Sequence, residues 1–95
     1  MHIISRKALK EFSQRHPDSE TALDTWFHIS SKNSFANFNA LRQKFPSVDK
    51  IGKRIVFNIG GNKYRLIAAV HFNRQKVYVL YILTHDEYIR GRWKI

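Results

Sequence analysis

The chain has 95 residues, 43% hydrophobic and 14% aromatic, with no cysteine, four glycines and two prolines. That length supports one hydrophobic core, so residues 1–95 read as a single domain. The composition excludes a disordered or low-complexity chain. The absence of cysteine excludes a disulfide scaffold, a thiolate zinc site and a cysteine nucleophile. No apolar run approaches the ~20 residues of a membrane span, and the N-terminus lacks the apolar core of a signal peptide. The expectation is a soluble protein with no membrane partner that stays where it is made.

The formal net charge is +10, carried unevenly: residues 1–49 sum to +2 and residues 50–95 to +8. All four tyrosines also fall in the second half. A basic, aromatic half fits an anionic polymer, most simply nucleic acid.

In chain order, His2-Ile3-Ile4-Ser5 reads as an edge strand. Ser5 can cap a helix from Arg6 to about His16, with Ala8, Leu9 and Phe12 on one face. Pro17 ends that helix or begins the next, and Asp18 is a plausible second cap. Ala22, Leu23, Trp26 and Ile29 recur at helical spacing, Lys32-Asn33-Ser34 breaks the pattern, and Phe38, Leu41 and Phe45 predict a shorter third helix ending at Pro46. These aromatics read as core, because they keep to helical faces.

From Lys53 the period becomes two. Ile55, Phe57 and Ile59 alternate with Arg54, Val56 and Asn58, and Gly60-Gly61 signals a hairpin. The next strand spans about Asn62 to Phe72, with Tyr64, Leu66, Ala68, Val70 and Phe72 on one face and Lys63, Arg65, Ile67, Ala69 and His71 on the other. Asn73-Arg74-Gln75 is a polar turn. Val77 to Leu83 is nearly all apolar, which predicts a central strand or one covered on both faces. The fold class is therefore α+β: an N-terminal strand, two to three helices, then a three-stranded antiparallel meander with the helices on one sheet face.

The end of the last strand carries the most informative chemistry. Thr84-His85-Asp86-Glu87 fits a capping box, with Leu83 and Tyr88 at the staple positions, so a short helix should begin at His85. Free amides at its start are expected to suit a phosphate, and the positive helix end favours a neutral imidazole at His85. His85 and Tyr88, three apart, share a helix face. A two-residue Gly60-Gly61 turn would place Arg65 opposite Val56 and Lys63 opposite Asn58, and a turn at Arg74-Gln75 would bring Arg65 near Thr84. Arg65 and His85 are thus expected to meet over one hollow, where a planar guanidinium suits a phosphate. The other histidines show no metal-ligand spacing, and no phosphate loop or serine nucleophile turn is present. No metal or cofactor is expected.

The run Val56-Phe57-Asn58-Ile59-Gly60-Gly61-Asn62-Lys63-Tyr64-Arg65-Leu66, with Thr84-His85-Asp86-Glu87-Tyr88 after it and Phe45-Pro46-Ser47-Val48-Asp49 before it, resembles the HigB-type branch of the RelE-like toxins. The resemblance covers nearly the whole chain. It implies the toxin of a type II toxin–antitoxin pair: an endoribonuclease that cleaves mRNA, commonly on the translating ribosome, and is neutralised by a cognate antitoxin of helix-turn-helix type whose complex represses its own operator DNA. A bacterial cytoplasmic location follows from the same resemblance. The family's arginine on the middle meander strand matches Arg65, and its basic or tyrosyl residues after the last strand match His85 and Tyr88. The lysines common on the first meander strand have no full match, since Lys53, Arg54 and Asn58 stand there.

The expected catalytic residues are His85, Arg65 and Tyr88, attacking RNA through its own 2′-hydroxyl by acid–base catalysis. Lys63, Asn58, Asn62, Lys53, Arg54, Arg90 and Arg92 are the expected RNA contacts. The alternatives are a non-enzymatic toxin that poisons DNA gyrase by contact, or a basic RNA-binding module without activity.

Overall fold

The computed structural model describes residues 1–91 and 93. In chain order they form strand β1 (His2–Ile4), helices α1 (Arg6–Arg15), α2 (Glu20–Lys32) and α3 (Phe38–Lys44), strands β2 (Asp49–Ile51), β3 (Arg54–Ile59), β4 (Tyr64–His71) and β5 (Lys76–Thr84), and helix α4 (His85–Arg90). The strands of the described residues form one sheet in the order β1-β5-β4-β3-β2. β1 runs parallel to β5, and the remaining neighbours pair antiparallel. This is the α+β arrangement expected, with the meander lengthened by β2.

The sheet follows from the two-residue period. Ile55, Phe57 and Ile59 of β3 and Tyr64, Leu66 and Ala68 of β4 turn toward the helices, where they join Leu9 and Phe12 of α1, Leu23 and Trp26 of α2 and Leu41 of α3 in the main core. Trp26 and Phe45 each meet Phe57 edge-on, at centroid distances of 5.3 and 5.1 Å. The alternating residues face the other way. Val56 and Ile67 form a second, smaller cluster with Trp93, edged by Ile51, Leu83 and Tyr88. Burying each large side chain of this kind is worth about 1.5–3 kcal/mol, so both faces of the meander add to stability.

Several local expectations are corrected. The two-residue hairpin lies at Gly52-Lys53, between the paired residues Ile51 and Arg54, with Gly52 at φ +60°. A positive φ at the first loop residue is what such tight turns demand, and glycine meets it without strain. Gly60-Gly61 instead opens a four-residue loop, because Ile59 pairs with Tyr64. Arg65 therefore pairs with Asn58 rather than Val56, while on β5 it pairs with Leu83, next to Thr84 as expected. The slip against β3 is two residues, so Arg65 keeps its expected face; a slip of one would have reversed it.

β5 is central in the sheet as expected, between β1 and β4, though part of it is exposed. β1 reaches only as far as Tyr78, a register shift leaves Leu80 as the extra residue, and Leu80 and Tyr81 are about two-fifths exposed at 41% and 40%. Ser5 stands at the N-cap of α1 but its side chain makes no capping bond. Asp18 lies inside a short 3-10 turn, Pro17–Ser19, and serves a different partner. Gln75 takes φ +53° in the β4–β5 loop. Its side-chain amide holds Phe35 through both backbone groups and also the Phe72 carbonyl. No helix among the described residues is long and apolar enough to cross a membrane.

Candidate functional site

The site forms at one end of the sheet, where the 60–63 loop meets the start of α4. The capping box is present in full. The Glu87 amide donates to Thr84 Oγ1 at 3.2 Å, and the Thr84 amide donates to Glu87 Oε1 at 2.9 Å. That backbone bond from Thr84 is the main reason the Glu87 carboxyl lies below its ordinary range; partial burial opposes it, and the positive charges of His16 and Arg15 assist. α4 closes on Gly91 at φ +72°, whose amide returns to the Tyr88 carbonyl. The His85 amide donates to the Lys63 carbonyl at 3.0 Å, which fastens α4 to the hairpin loop.

Two of the amides expected to be free for a phosphate at the start of α4, those of His85 and Glu87, are thus already engaged. The imidazole of His85 is exposed instead. It lines a hollow of about 320 Å³ together with His16, Lys63, Tyr64, Thr84 and Asp86. The Tyr64 hydroxyl donates to Asp18 Oδ1 at 2.6 Å, and Lys63 Nζ lies 3.5 Å from Asp18 Oδ2. The Tyr64 bond is the chief cause that holds the Asp18 carboxyl low, with help from Lys63, and the same bond raises the Tyr64 hydroxyl.

Arg65 does not join that hollow, which corrects the expectation that it meets His85 over common ground. Its residue is buried, with 8% of its surface exposed. Nη1 donates to the Tyr64 carbonyl at 3.1 Å and Nη2 to Asn62 Oδ1 at 3.3 Å. The guanidinium carbon sits 5.3 Å from the centre of the Tyr88 ring. Tyr88 is in turn stacked on Trp93, at 5.2 Å and 9°. The physical reason is the alternation of β4: Tyr64 turns toward the helices and the hollow, and Arg65 turns to the opposite face, where Tyr88, backed by Trp93, lies over it.

The remaining expected residues divide between these places. Lys63 and His85 come together at the hollow. Asn62 and Asn58 accompany Arg65, the first by hydrogen bond and the second as its ladder partner. Lys53 is exposed at the hairpin tip at the other end of β3. Arg54 donates from Nη1 to the Trp93 carbonyl at 2.8 Å and lies 5.5 Å from the Tyr81 ring centre. Arg90, exposed, borders a second hollow of about 210 Å³ with Tyr81, Leu83, Glu87 and Trp93. Arg92, like Lys94, lies outside the described residues.

Sequence reasoning missed His16, Asp18 and the hydroxyl of Tyr64. His16 read as one more residue at a helix end, and Tyr64 as a core aromatic. The Asp18–Tyr64 bond joins positions 46 apart, and no local pattern marks such a pair.

The order of elements, the capped helix after β5 and the basic hairpin loop beside it define a RelE-like toxin fold. Residues 19–90 match the family HigB_toxin, described as the RelE-like toxic component of a toxin-antitoxin system, and the chain belongs to that family. The mRNA interferase toxin HigB of Escherichia coli strain K12 is 38% identical over 91 residues, covering 93% of this chain and 88% of the relative. The mRNA interferase HigB of Shigella flexneri shows the same identity and coverage. That of Escherichia coli O6:H1 is 31% identical over the same span. As the toxic component of such a system, the protein has an antitoxin as its partner.

Proposed function

We propose that the protein is an endoribonuclease toxin that cleaves mRNA on the translating ribosome, without a metal, by attack of the RNA's own 2′-hydroxyl on the adjacent phosphorus. The observation that carries this reading is the exposed imidazole of His85 on a hollow shared with the Lys63 ammonium. The relatives named mRNA interferase support it.

RNA supplies the nucleophile, so the protein need only hold the phosphate in line, neutralise its growing charge and move two protons. His85 is one proton carrier. Lys63 binds the phosphate. Arg65, buried and bonded to Asn62 and to the Tyr64 carbonyl, orders the loop that presents Lys63 and supports Tyr88 from behind. Asn58 stands behind Arg65 in the ladder. Lys53, Arg54, Arg90 and Arg92 give the RNA backbone further positive charge. The same reading places the toxin in the bacterial cytoplasm, bound by a helix-turn-helix antitoxin whose complex occupies operator DNA.

The test is primer extension on cellular mRNA after brief induction, comparing the parent with His85→Ala at equal expression. The parent should produce breaks within coding sequence that end in 2′,3′-cyclic phosphate, and the variant should lose about 10²–10⁴-fold in cleavage. Intact mRNA with induction of the DNA-damage response would instead indicate gyrase poisoning. Intact mRNA without that response would indicate simple binding.

A further inference from the structure

Beyond His85, the geometry points to His16 as the second proton-transfer residue: two imidazoles, from the end of α1 and the start of α4, form the acid–base pair of this hollow. The inference rests on the ribonuclease reading above and deepens it.

His16 is held there by local structure. Pro17 disfavours a helical conformation at the residue before it, so α1 stops, and His16 takes φ −131° and ψ 78°. Its amide returns to the Phe12 carbonyl at 2.8 Å, and its carbonyl accepts from both the amide and the hydroxyl of Ser19, at 2.9 and 2.7 Å. Ser19 is fully buried, so this corner is anchored in the core. The ring is stacked on Phe12 at 4.5 Å and leans on Tyr64 at 5.4 Å. Tyr64 is itself fixed by Asp18.

The ring is therefore positioned by its carbon face while its edge remains available. Neither His16 nor His85 has a ring nitrogen in a hydrogen bond to any described residue, and both border the same hollow. The other histidines lack this combination. His28 is bonded through Nδ1 to the Asp24 carbonyl. His71 lies against Tyr78 at the far end of β4. His2 sits in β1.

Cleavage needs both members of such a pair. As the O2′–P bond forms, the 2′-hydroxyl proton passes to one neutral imidazole. As the P–O5′ bond breaks, an imidazolium gives its proton to the leaving oxygen. The products are a 2′,3′-cyclic phosphate and a 5′-hydroxyl, and the two histidines end with exchanged protonation states. The charged and titratable groups around His16 are Arg15 on its own helix, Asp18 on the following turn, Lys63 and Tyr64 on the hairpin, and His85, Asp86 and Glu87 on α4. The hollow, at about 320 Å³, is large enough for a ribose and its phosphate.

The experiment measures first-order cleavage of a defined mRNA on programmed ribosomes, at saturating toxin and from pH 5.5 to 9, for the parent, His16→Phe, His16→Ala and His85→Ala. Binding is measured separately with an mRNA carrying a 2′-deoxy sugar at the scissile position. His16→Phe preserves the ring against Phe12 and removes the nitrogens. The expected result is a bell-shaped profile for the parent, a loss of about 10²–10⁴-fold in both His16 variants with one limb of the bell gone, and binding of the deoxy substrate changed by only a few fold. Joint replacement of His16 and His85 should cost little more than either alone, as residues acting as one unit do. Near-parental cleavage by His16→Phe with both limbs intact would overturn the inference and reduce His16 to packing. Normal cleavage by His85→Ala would remove His85 from the pair and overturn the inference while leaving the ribonuclease reading in place; no cleavage by the parent would overturn that reading and the inference with it.

Discussion

Arg65 is the residue at which positioning and direct catalysis make different quantitative predictions. In Arg65→Ala the Tyr64 carbonyl loses its guanidinium donor, worth ~1–3 kcal/mol for a buried group. The contact with the Tyr88 ring, worth ~0.5–2 kcal/mol, is lost as well. With the gap left beneath Tyr88, the expected destabilisation is about 3 kcal/mol, which at ~4–8 °C per kcal/mol for a domain of this size lowers the melting temperature by more than 10 °C. Arg65→Met loses the same hydrogen bonds and ring contact but retains the apolar stem that fills the space beneath Tyr88, so it should be less destabilised than Arg65→Ala by about 1 kcal/mol. The assay is urea denaturation followed by tryptophan fluorescence, run beside the ribosomal cleavage measurement. On the positioning argument, cleavage by Arg65→Met recovers substantially at low temperature, where the fold is fully populated. A variant that melts with the parent yet has lost cleavage by about 10³-fold at every temperature would show that the guanidinium touches the phosphate, and the reasoning from its burial would be wrong.

Other measurements probe the groups around the hollow. Thr84→Ala removes one arm of the capping box and should cost about 1 kcal/mol of stability, read as a lower urea midpoint with unchanged slope. The pH dependence of thermal stability has a defined sign. Asp18 and Glu87 have folded-state carboxyls below their ordinary range, so their contribution is present above about pH 4 and is lost as pH falls through their folded values. Tyr64 is raised, so its contribution is present below about pH 10 and is lost as pH rises further. Asp18→Asn should flatten the acid limb, and an acid limb of unchanged slope in that variant would contradict the Asp18–Tyr64 assignment.

How much was legible in the sequence depends on the range of the interaction involved. The strand period of β3 and β4, the capping box at Thr84 and the position of His85 at the head of a short helix are written in neighbouring residues, because backbone hydrogen bonding and side-chain alternation act within a few positions. The face taken by Arg65 was legible for the same reason and survived a misjudged loop, since a slip of two residues preserves alternation. β2 escaped notice because three residues are too few to display a period, although Gly52 marked its turn.

Tertiary structure alone decided which groups share a cavity. The sequence by itself determined the fold class, the basic hairpin and the toxin family to which they belong. It did not determine that Tyr88, stacked on Trp93, would lie over Arg65, that Asp18 would hold the Tyr64 hydroxyl, or that His16 would stand beside the same hollow as His85. Those neighbours lie tens of residues apart. They meet because the two faces of one sheet must each bury their apolar side chains, and the packing that achieves this sets where every polar group at the sheet's end points.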